Sequence, residues 1–398
     1  MKKQTILSNI WKLNLIQVFR WFMLIMPAIV LFYQENGLSM QDIMVLQGLY
    51  SLALVIFEVP SGYFSDTIGR RNSLVAGSML CTAGFFIYSL SYSFFGFLCA
   101  EIIIASGYSF ISGTDSALLY DTLLEAKQEK DYTKRQGRLN ATANFSEAVA
   151  GILGGIIAVS SLRLNFYIET GILALSIPVA LSIIEPKTHK NLKPKMTYKG
   201  FYTIIYETLR YPPLFWLISY NAVILAGTLT IVWFVQPYLK MSGIPLVMFG
   251  IIWTMLNLSV GVSSLSADRI KNLIGEKFSF MLPLFLIVTG YFLLSFLDLT
   301  WAFVLFILLY LARGFTLPVF TNLINQQTSS EKRATVLSIR VLLTRLIFCL
   351  VGPATGYISD SFSLKTGLLF TGITFLLMGA ICLSGLLANK NKLLRLPD

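Results

Sequence analysis

The sequence predicts an all-α integral membrane protein with twelve transmembrane helices, arranged as two pseudo-symmetric six-helix bundles. Hydrophobic residues make up 55% of the chain and charged residues only 13%, which is about half the charged fraction of a typical soluble domain. Twelve apolar segments are long enough to cross a bilayer, where a helix satisfies its own backbone hydrogen bonds. The two halves of the 398-residue chain also carry similar features about 200 residues apart, as in membrane proteins built from internal repeats.

Short polar connections separate most of the apolar segments. Each segment supplies the roughly 20 residues that a helix needs to span the hydrocarbon core. The fourth and tenth segments are long, so we expect them to tilt or to project into the cytoplasm. The predicted spans are 11–33, 41–64, 72–93, 95–123, 136–160, 164–184, 212–236, 245–267, 277–297, 300–325, 334–358 and 364–388.

A basic stretch near the middle of the sequence divides the chain in two. It contains several lysines and two prolines, and its residues 198–206 have the pattern of an amphipathic helix that lies on the membrane surface. We therefore predict three parts, which are an N-terminal six-helix bundle over 1–184, a cytoplasmic linker over 185–211 and a C-terminal six-helix bundle over 212–398.

Lysine and arginine are distributed unequally between the two sides of the predicted membrane. Of the 31 Lys and Arg residues, 24 lie on one side, at the termini, in connections or at the ends of spans, three lie on the opposite side and four lie deeper within spans. The positive-inside rule therefore places both termini in the cytoplasm. The same rule explains the net charge of +11, so we expect no nucleic-acid partner.

The most distinctive motif is the charged turn between the second and third predicted spans. Its residues Gly62, Asp66, Gly69, Arg70 and Arg71 follow the pattern G-x-x-x-D-x-x-G-R-[KR]. This pattern resembles the loop between the second and third helices of the major facilitator superfamily. A further stretch, 112–121, resembles a group of bacterial members, which implies a multi-pass protein of the bacterial inner membrane. For Arg71, a role in membrane topology alone is the alternative.

This resemblance covers essentially the whole chain and implies a secondary active transporter that moves a small molecule by alternating access. In the family, the loop motif latches the outward-facing state, which implies that role for Asp66, Arg70 and Asp121. Gly62 and Gly69 are expected to allow close approach and a tight turn. Asp66 is also expected near the N-terminus of the eleventh helix, where the helix dipole favours an anion.

Charged residues within the predicted spans indicate the substrate cavity, because a charge inside the bilayer needs a partner or an aqueous surface. On the helices that line the cavity in this family, these residues are Arg20, Asp115, Glu147, Arg313 and Arg345, with purely structural ion pairs as the alternative. For aromatic residues, contacts with lipid or with neighbouring helices are the alternative. Aromatic and amide side chains that could complete the pocket are Trp21, Tyr120, Trp233, Gln236, Asn257, Asn322 and Asn325.

Three carboxylates are candidates for proton coupling, namely Glu58, Asp115 and Glu147. The proton gradient is the expected driving force, because carboxylates lie within the spans and no dedicated sodium site is visible. Glu147 and Arg345 lie seven residues before Gly154 and Gly352 in equivalent helices. The two could pair across the cavity, or each could hold one end of a zwitterionic or amphiphilic substrate.

Other functional classes are disfavoured. The chain lacks a Walker motif, so ATP is not the expected energy source. One histidine in a loop and four cysteines in apolar segments predict no enzyme, no metal site and no cofactor. The fifth span lacks the proline of the signature G-P-x-x-G-G, which drug–proton antiporters of this superfamily usually carry. The sequence does not identify the substrate. A channel and a receptor that does not transport are the alternatives. We expect a monomer that interacts with a small-molecule substrate, protons and membrane lipids.

Overall fold

The computed structural model describes residues 2–186, 206, 208, 210–297, 300–329 and 332–390, and their regular structure is helical. The predicted linker helix at 198–206, apart from Tyr206, and the histidine His189 lie outside this part of the chain. Short 3-10 helices cover Glu129–Asp131 and Thr300–Leu305. The α-helices are α1 (Lys2–Trp21), α2 (Ile29–Glu35), α3 (Met40–Ile68), α4 (Arg70–Leu90), α5 (Phe94–Ile111), α6 (Thr114–Glu125), α7 (Tyr132–Ser160), α8 (Leu162–Ala174), α9 (Ser176–Leu181), α10 (Pro212–Val232), α11 (Val235–Met241), α12 (Val247–Phe296), α13 (Phe306–Gln326), α14 (Arg333–Ser361) and α15 (Leu364–Ala388).

Ten helical stretches in the described part of the chain are long and apolar enough to cross a membrane. This confirms the prediction of an all-α integral membrane protein. The count of twelve spans stays a prediction, because several apolar segments do not correspond to one helix each.

The predicted first span is broken in its middle. α1 ends at Trp21 and α2 begins at Ile29, and Pro27 between them lacks a backbone N–H and restricts the residue before it. The buried carboxylate of Glu169 in α8 accepts a hydrogen bond from the Ile25 N–H at 3.2 Å. An acidic side chain of the predicted sixth span therefore stabilises the interruption in the first.

The predicted fourth span, 95–123, is also interrupted. α5 ends at Ile111 and α6 begins at Thr114, with Gly113 between them at a φ of 76°. Glycine adopts this left-handed conformation at little cost because it has no Cβ. The segment expected to be one long helix is thus divided into two helices.

The predicted eighth and ninth spans are joined without a loop. α12 runs from Val247 to Phe296 and bends at Gly275, whose φ is 77°. In the first half of the chain, Gly69 separates α3 from α4 with a φ of 118°. Both halves therefore have a glycine of positive φ between two consecutive predicted spans, although Gly275 lies too far downstream to be a second copy of the charged turn at Gly69.

The described residues divide into two compact units, of which the first contains residues from 1–38, 49–195 and 245–254. Its helices α4 and α5 pack closely, since a Cβ on Gly107 would lie 2.8 Å from the backbone nitrogen of Cys81. Small residues allow such contacts between helices in membranes. A buried cluster of this unit comprises Leu13, Ile16, Leu74, Cys81, Ile111, Leu118, Leu119, Leu123, Leu139, Ala180 and Ile183.

The second unit contains residues from 39–48, 196–244 and 255–398. Buried tyrosines connect its helices, because the Tyr220 hydroxyl donates to the Phe280 carbonyl at 2.5 Å and the Tyr291 hydroxyl donates to the Gly227 carbonyl at 2.7 Å. The units differ from the predicted bundles in the segments 39–48 and 245–254, and the predicted domain bounds stay a prediction.

The N-terminus of α3 is held by α14 within the second unit. Asp360 accepts hydrogen bonds from the backbone N–H groups of Met40 at 3.0 Å and Gln41 at 2.8 Å. A Cβ on Gly356 would lie 2.7 Å from the Gln41 Cα. The carboxylate therefore satisfies backbone donors that the first turn of a helix leaves open, and the glycine permits the close contact.

Candidate functional site

The charged turn at the end of α3 is organised around Arg70. Its guanidinium lies 2.9 Å from the Asp66 carboxylate and 3.5 Å from the Asp121 carboxylate of α6. It also donates a hydrogen bond to the Ser65 hydroxyl at 3.2 Å, and Ser65 in turn accepts one from Thr114 at 3.0 Å. The two carboxylates and the arginine that the sequence motif singled out therefore lie together in the first unit.

A carboxylate that the motif did not include completes the turn. Glu185, which follows α9, accepts hydrogen bonds from the backbone N–H groups of Arg70 at 2.8 Å and Arg71 at 2.7 Å. The Arg71 guanidinium donates twice to the Leu181 carbonyl, at 3.0 and 2.6 Å. A negative charge at the N-terminus of α4 is favoured by the helix dipole and satisfies open donors.

The conformation of the turn requires a glycine at position 69. Besides its positive φ, a Cβ there would lie 3.1 Å from the Glu185 carboxylate. Gly62 is different, because a Cβ at that position would meet nothing within 4 Å, so this structure contains no close approach there. Glu58 is exposed on α3. The placement of Asp66 near the eleventh helix stays a prediction.

A polar pocket lies between the C-terminal end of α1, the first turn of α6 and the first half of α7. Its cavity volume is about 420 Å³, which is within the range of small-molecule sites. It adjoins the interruptions of the predicted first and fourth spans, as is common for binding sites at discontinuous helices. The residues that line it are Gln17, Arg20, Trp21, Ser112, Gly113, Asp115, Ser116, Gln136, Asn140, Ala143 and Asn144.

An ion pair occupies the wall of this pocket. The Arg20 guanidinium lies 3.6 Å from the Asp115 carboxylate, and the same carboxylate oxygen accepts a hydrogen bond from the Gln17 amide at 2.8 Å. The other oxygen accepts the Ser116 N–H at 2.6 Å. The pair is largely buried, with exposed side-chain fractions of 13% for Arg20 and 12% for Asp115. Such a pair is stable only with these additional hydrogen bonds.

Aromatic rings position the arginine of this pair. The central guanidinium carbon of Arg20 lies 5.0 Å from the ring centroid of Tyr108 and 5.5 Å from that of Trp21. Cations are attracted to the faces of aromatic rings at these distances. Arg20, Trp21 and Asp115, which the sequence singled out separately, therefore belong to one site.

The sequence reasoning missed the carboxamides of this pocket. Gln136, Asn140 and Asn144 occur at intervals of four residues and so lie on one face of α7. Gln17 precedes Arg20 by three residues and lies on the same side of α1. The signal that predicts them is the regular four-residue spacing of amides at the start of the apolar span 136–160.

Other candidate residues lie elsewhere. Tyr120 is 45% exposed and does not line the pocket, and its ring packs against Tyr132 at 5.5 Å between centroids. The reason is rotational, because Tyr120 lies five residues after Asp115, on a different face of α6. Glu147 is half-buried on α7, and its predicted pairing with Arg345 stays a prediction.

The remaining candidates belong to the second unit. Trp233 is buried at the junction of α10 and α11, and its indole N–H has no hydrogen-bond partner among the described residues. The side-chain oxygen of Asn325 in α13 is likewise unpartnered within the described chain. The others are buried Gln236 in α11, half-buried Asn257 in α12, half-buried Arg313 and exposed Asn322 in α13, and half-buried Arg345 in α14.

Among the described residues, no group of three or more His, Cys, Asp or Glu side chains could hold a metal ion. The apolar spans, the interrupted helices and the polar pocket define a multi-pass helical membrane protein with a pocket of small-molecule size. A sequence model of the Major Facilitator Superfamily matches residues 13–353, and the chain belongs to this family.

Two curated relatives share part of their length with the chain. Inner membrane transport protein YajR of Escherichia coli is 28% identical over 38% of this chain, and the match covers 31% of YajR. Quinolone resistance protein NorA of Staphylococcus aureus is 23% identical over 49% of this chain, and the match covers 52% of NorA. The chain thus spans a third to a half of these relatives.

The same fold occurs in solved transporter structures. The crystal structure of the nucleoside transporter NupG superposes with a TM-score of 0.77, covering 97% of this chain and 99% of NupG. The sequence identity is only 12%, so this likeness shows the fold alone.

Proposed function

We propose that this chain is a proton-coupled secondary active transporter that carries a small molecule by alternating access. The observation that supports this function best is the buried Arg20–Asp115 pair in the wall of a cavity of about 420 Å³. The cavity adjoins two interrupted helices in a chain of this superfamily. An ion pair in that place can respond both to a proton and to a substrate.

Asp115 is our first candidate for the coupling residue. If Asp115 takes up a proton, its neutral carboxyl no longer attracts the Arg20 guanidinium electrostatically. Arg20 is then free to donate hydrogen bonds to a bound molecule. Protonation and substrate binding would thus be coupled through one side chain. Glu58 and Glu147 remain the second candidates.

The charged turn is the proposed gate. Arg70 holds Asp66 at the end of α3 and Asp121 on α6, so its network connects the second, third and fourth predicted spans. A conformational change that moves α3 would break the ion pair of Arg70 with exposed Asp66 before its ion pair with buried Asp121. The reason is that water competes for the exposed carboxylate. This supports the role implied by the family motif.

We further propose a monomer in a bacterial inner membrane with both termini in the cytoplasm. The asymmetry of Lys and Arg supports this orientation, and the similarity to YajR supports this membrane. The similarity to NorA supports export as the direction of transport, although it covers only about half of NorA.

The test uses the full chain in liposomes that contain a pH-sensitive dye. Compounds are first selected by their ability to raise the melting temperature of the purified protein, since a ligand of the folded state stabilises it. A selected compound should then drive saturable proton movement. Asp115→Asn should keep the thermal stabilisation but lose the proton movement, while Asp131→Asn, an exposed carboxylate outside the pocket, should behave as wild type.

Each other outcome has a definite meaning. Proton movement that persists in Asp115→Asn assigns the coupling to Glu58 or Glu147. Ion current that does not saturate with the compound concentration indicates a channel. Binding without flux for every selected compound indicates a receptor and refutes the proposal.

A further inference from the structure

We infer that the pocket formed by α1, α6 and α7 takes an uncharged polar solute that carries several hydrogen-bonding groups. This inference rests on the proposed transport function and names the class of its substrate. Three features of the pocket support it: its balanced charge, its unpartnered polar atoms and its small aromatic surface.

The first feature is the balanced charge. The two ionic side chains of the lining, Arg20 and Asp115, face each other at 3.6 Å. Asp115 accepts two further hydrogen bonds, from Gln17 and from the Ser116 backbone. While Asp115 is ionised, as in this ion pair, the opposite charges compensate each other locally and the pocket presents no net charge to a ligand. A substrate with a full charge would have to compete with this pair.

The second feature is an excess of hydrogen-bonding capacity. Eight of the eleven lining residues have polar side chains, and four of these are carboxamides, each with an acceptor oxygen and two N–H donors. Within the described chain, the side-chain oxygens of Gln17 and Gln136 and the Nε of Arg20 have no hydrogen-bond partner. Gln17 is only 6% exposed. Buried polar atoms without partners are unfavourable, and a solute with hydroxyl or amide groups would satisfy them.

The third feature is the small aromatic surface, which disfavours lipophilic cations. Sites for such ligands are lined mainly by apolar and aromatic side chains. In this pocket Trp21 supplies the aromatic surface, and its ring already faces the Arg20 guanidinium at 5.5 Å. A second cation there would be repelled by Arg20. An anion would have to displace Asp115 from its ion pair with Arg20, and the Asp115 carboxylate would then lack a cation.

The experiment measures binding and flux for three classes of probe with the full chain in liposomes. The uncharged polar probes are glucose, inositol and uridine, the lipophilic cation is tetraphenylphosphonium, and the anion is benzoate. We expect at least one uncharged probe to stabilise the protein and to show saturable counterflow. Neither charged probe should do so.

Pocket variants connect the result to this site. Asn140→Leu and Asn144→Leu keep a helix-compatible side chain of similar size but remove the amide. Each should weaken binding of the active uncharged probe by tenfold or more. Thr133→Ala lies on the same helix, is exposed and is outside the pocket, so it should leave binding unchanged.

Two results would overturn the inference. One is tetraphenylphosphonium counterflow that is lost in Asn140→Leu, which would mean that the pocket accepts lipophilic cations and would leave the transport function intact. The other is the absence of binding and flux for all uncharged probes. The transport function is then judged separately, by proton movement with any compound that stabilises the protein.

Discussion

Replacing Arg70 with alanine is the most direct test of the charged turn. The substitution removes the guanidinium from Asp66, Asp121 and Ser65 at once. We expect Arg70→Ala to impair transport and to reduce stability, whereas Asp66→Asn should impair transport with little effect on stability. The two carboxylates differ in this way because their exposures differ, with Asp66 at 47% and Asp121 at 7% of the side-chain surface.

The size of the effect follows from this difference. Exposed ion pairs contribute roughly 0–1 kcal/mol, which bounds the loss in Asp66→Asn. Breaking a buried pair by removing one partner costs roughly 3–5 kcal/mol. The Arg70–Asp121 distance of 3.5 Å is longer than the roughly 2.8 Å of a strong charge-assisted hydrogen bond, so we expect a loss of about 3 kcal/mol in Arg70→Ala.

A double-mutant cycle separates the pair from the rest of the turn. Adding Asp121→Asn to Arg70→Ala should recover about 2 kcal/mol, because the buried charge is then absent. The free energy of unfolding is measured by denaturant titration in micelles, with the exposed Lys130→Ala as the control for loss of a positive charge. Strictly additive effects of the two substitutions, or wild-type transport in both Arg70→Ala and Asp66→Asn, would refute the assignment.

Three further substitutions test contacts that fix helix ends and interruptions. Glu185→Ala should lower the free energy of unfolding by about 2 kcal/mol, because α4 loses a negatively charged cap; a loss no larger than that of the exposed Glu129→Ala in the same titration would contradict the cap. Gly154→Ala would force a Cβ against the Leu24 carbonyl group, and this overpacking should lower the free energy of unfolding by about 2 kcal/mol. An unchanged melting temperature would mean that Gly154 and Leu24 are not in close contact in the membrane protein. Asp360→Ala should speed hydrogen exchange in the first turn of α3 and cost about 1 kcal/mol, and unchanged protection factors there would exclude the cap.

The sequence was most informative where a structural feature depends on composition or on one residue type. A helix in a bilayer requires a run of apolar side chains, so the apolar runs of the sequence directly predict a membrane protein. The turn at Gly69 requires a positive φ, so the glycine of the motif marked it correctly. Gly113 and Gly275 also have a positive φ. Gly275 lies in the predicted connection between the spans 245–267 and 277–297, whereas the turn at Gly113 lies inside the predicted span 95–123 and was not predicted.

Interrupted spans were harder to predict, because the interruption is stabilised by distant residues. Pro27 alone does not distinguish a kinked helix from a broken one. The buried Glu169 carboxylate on α8 supplies an acceptor for the backbone at Ile25, and the two residues are 144 positions apart. The cap that Glu185 places on α4 spans 115 positions and was missed for the same reason.

Apolar composition determined by itself that this chain is an all-α membrane protein, and the loop motif with its glycine determined where the charged turn lies. The tertiary structure decided which charges meet. It paired Arg20 with Asp115, brought Gln17 and the amides of α7 to the same pocket, and turned Tyr120 away from it. The physical reason is that lipid and the protein interior are similarly apolar, so hydropathy does not encode the rotation of a helix about its axis. That rotation is fixed only when the helices pack.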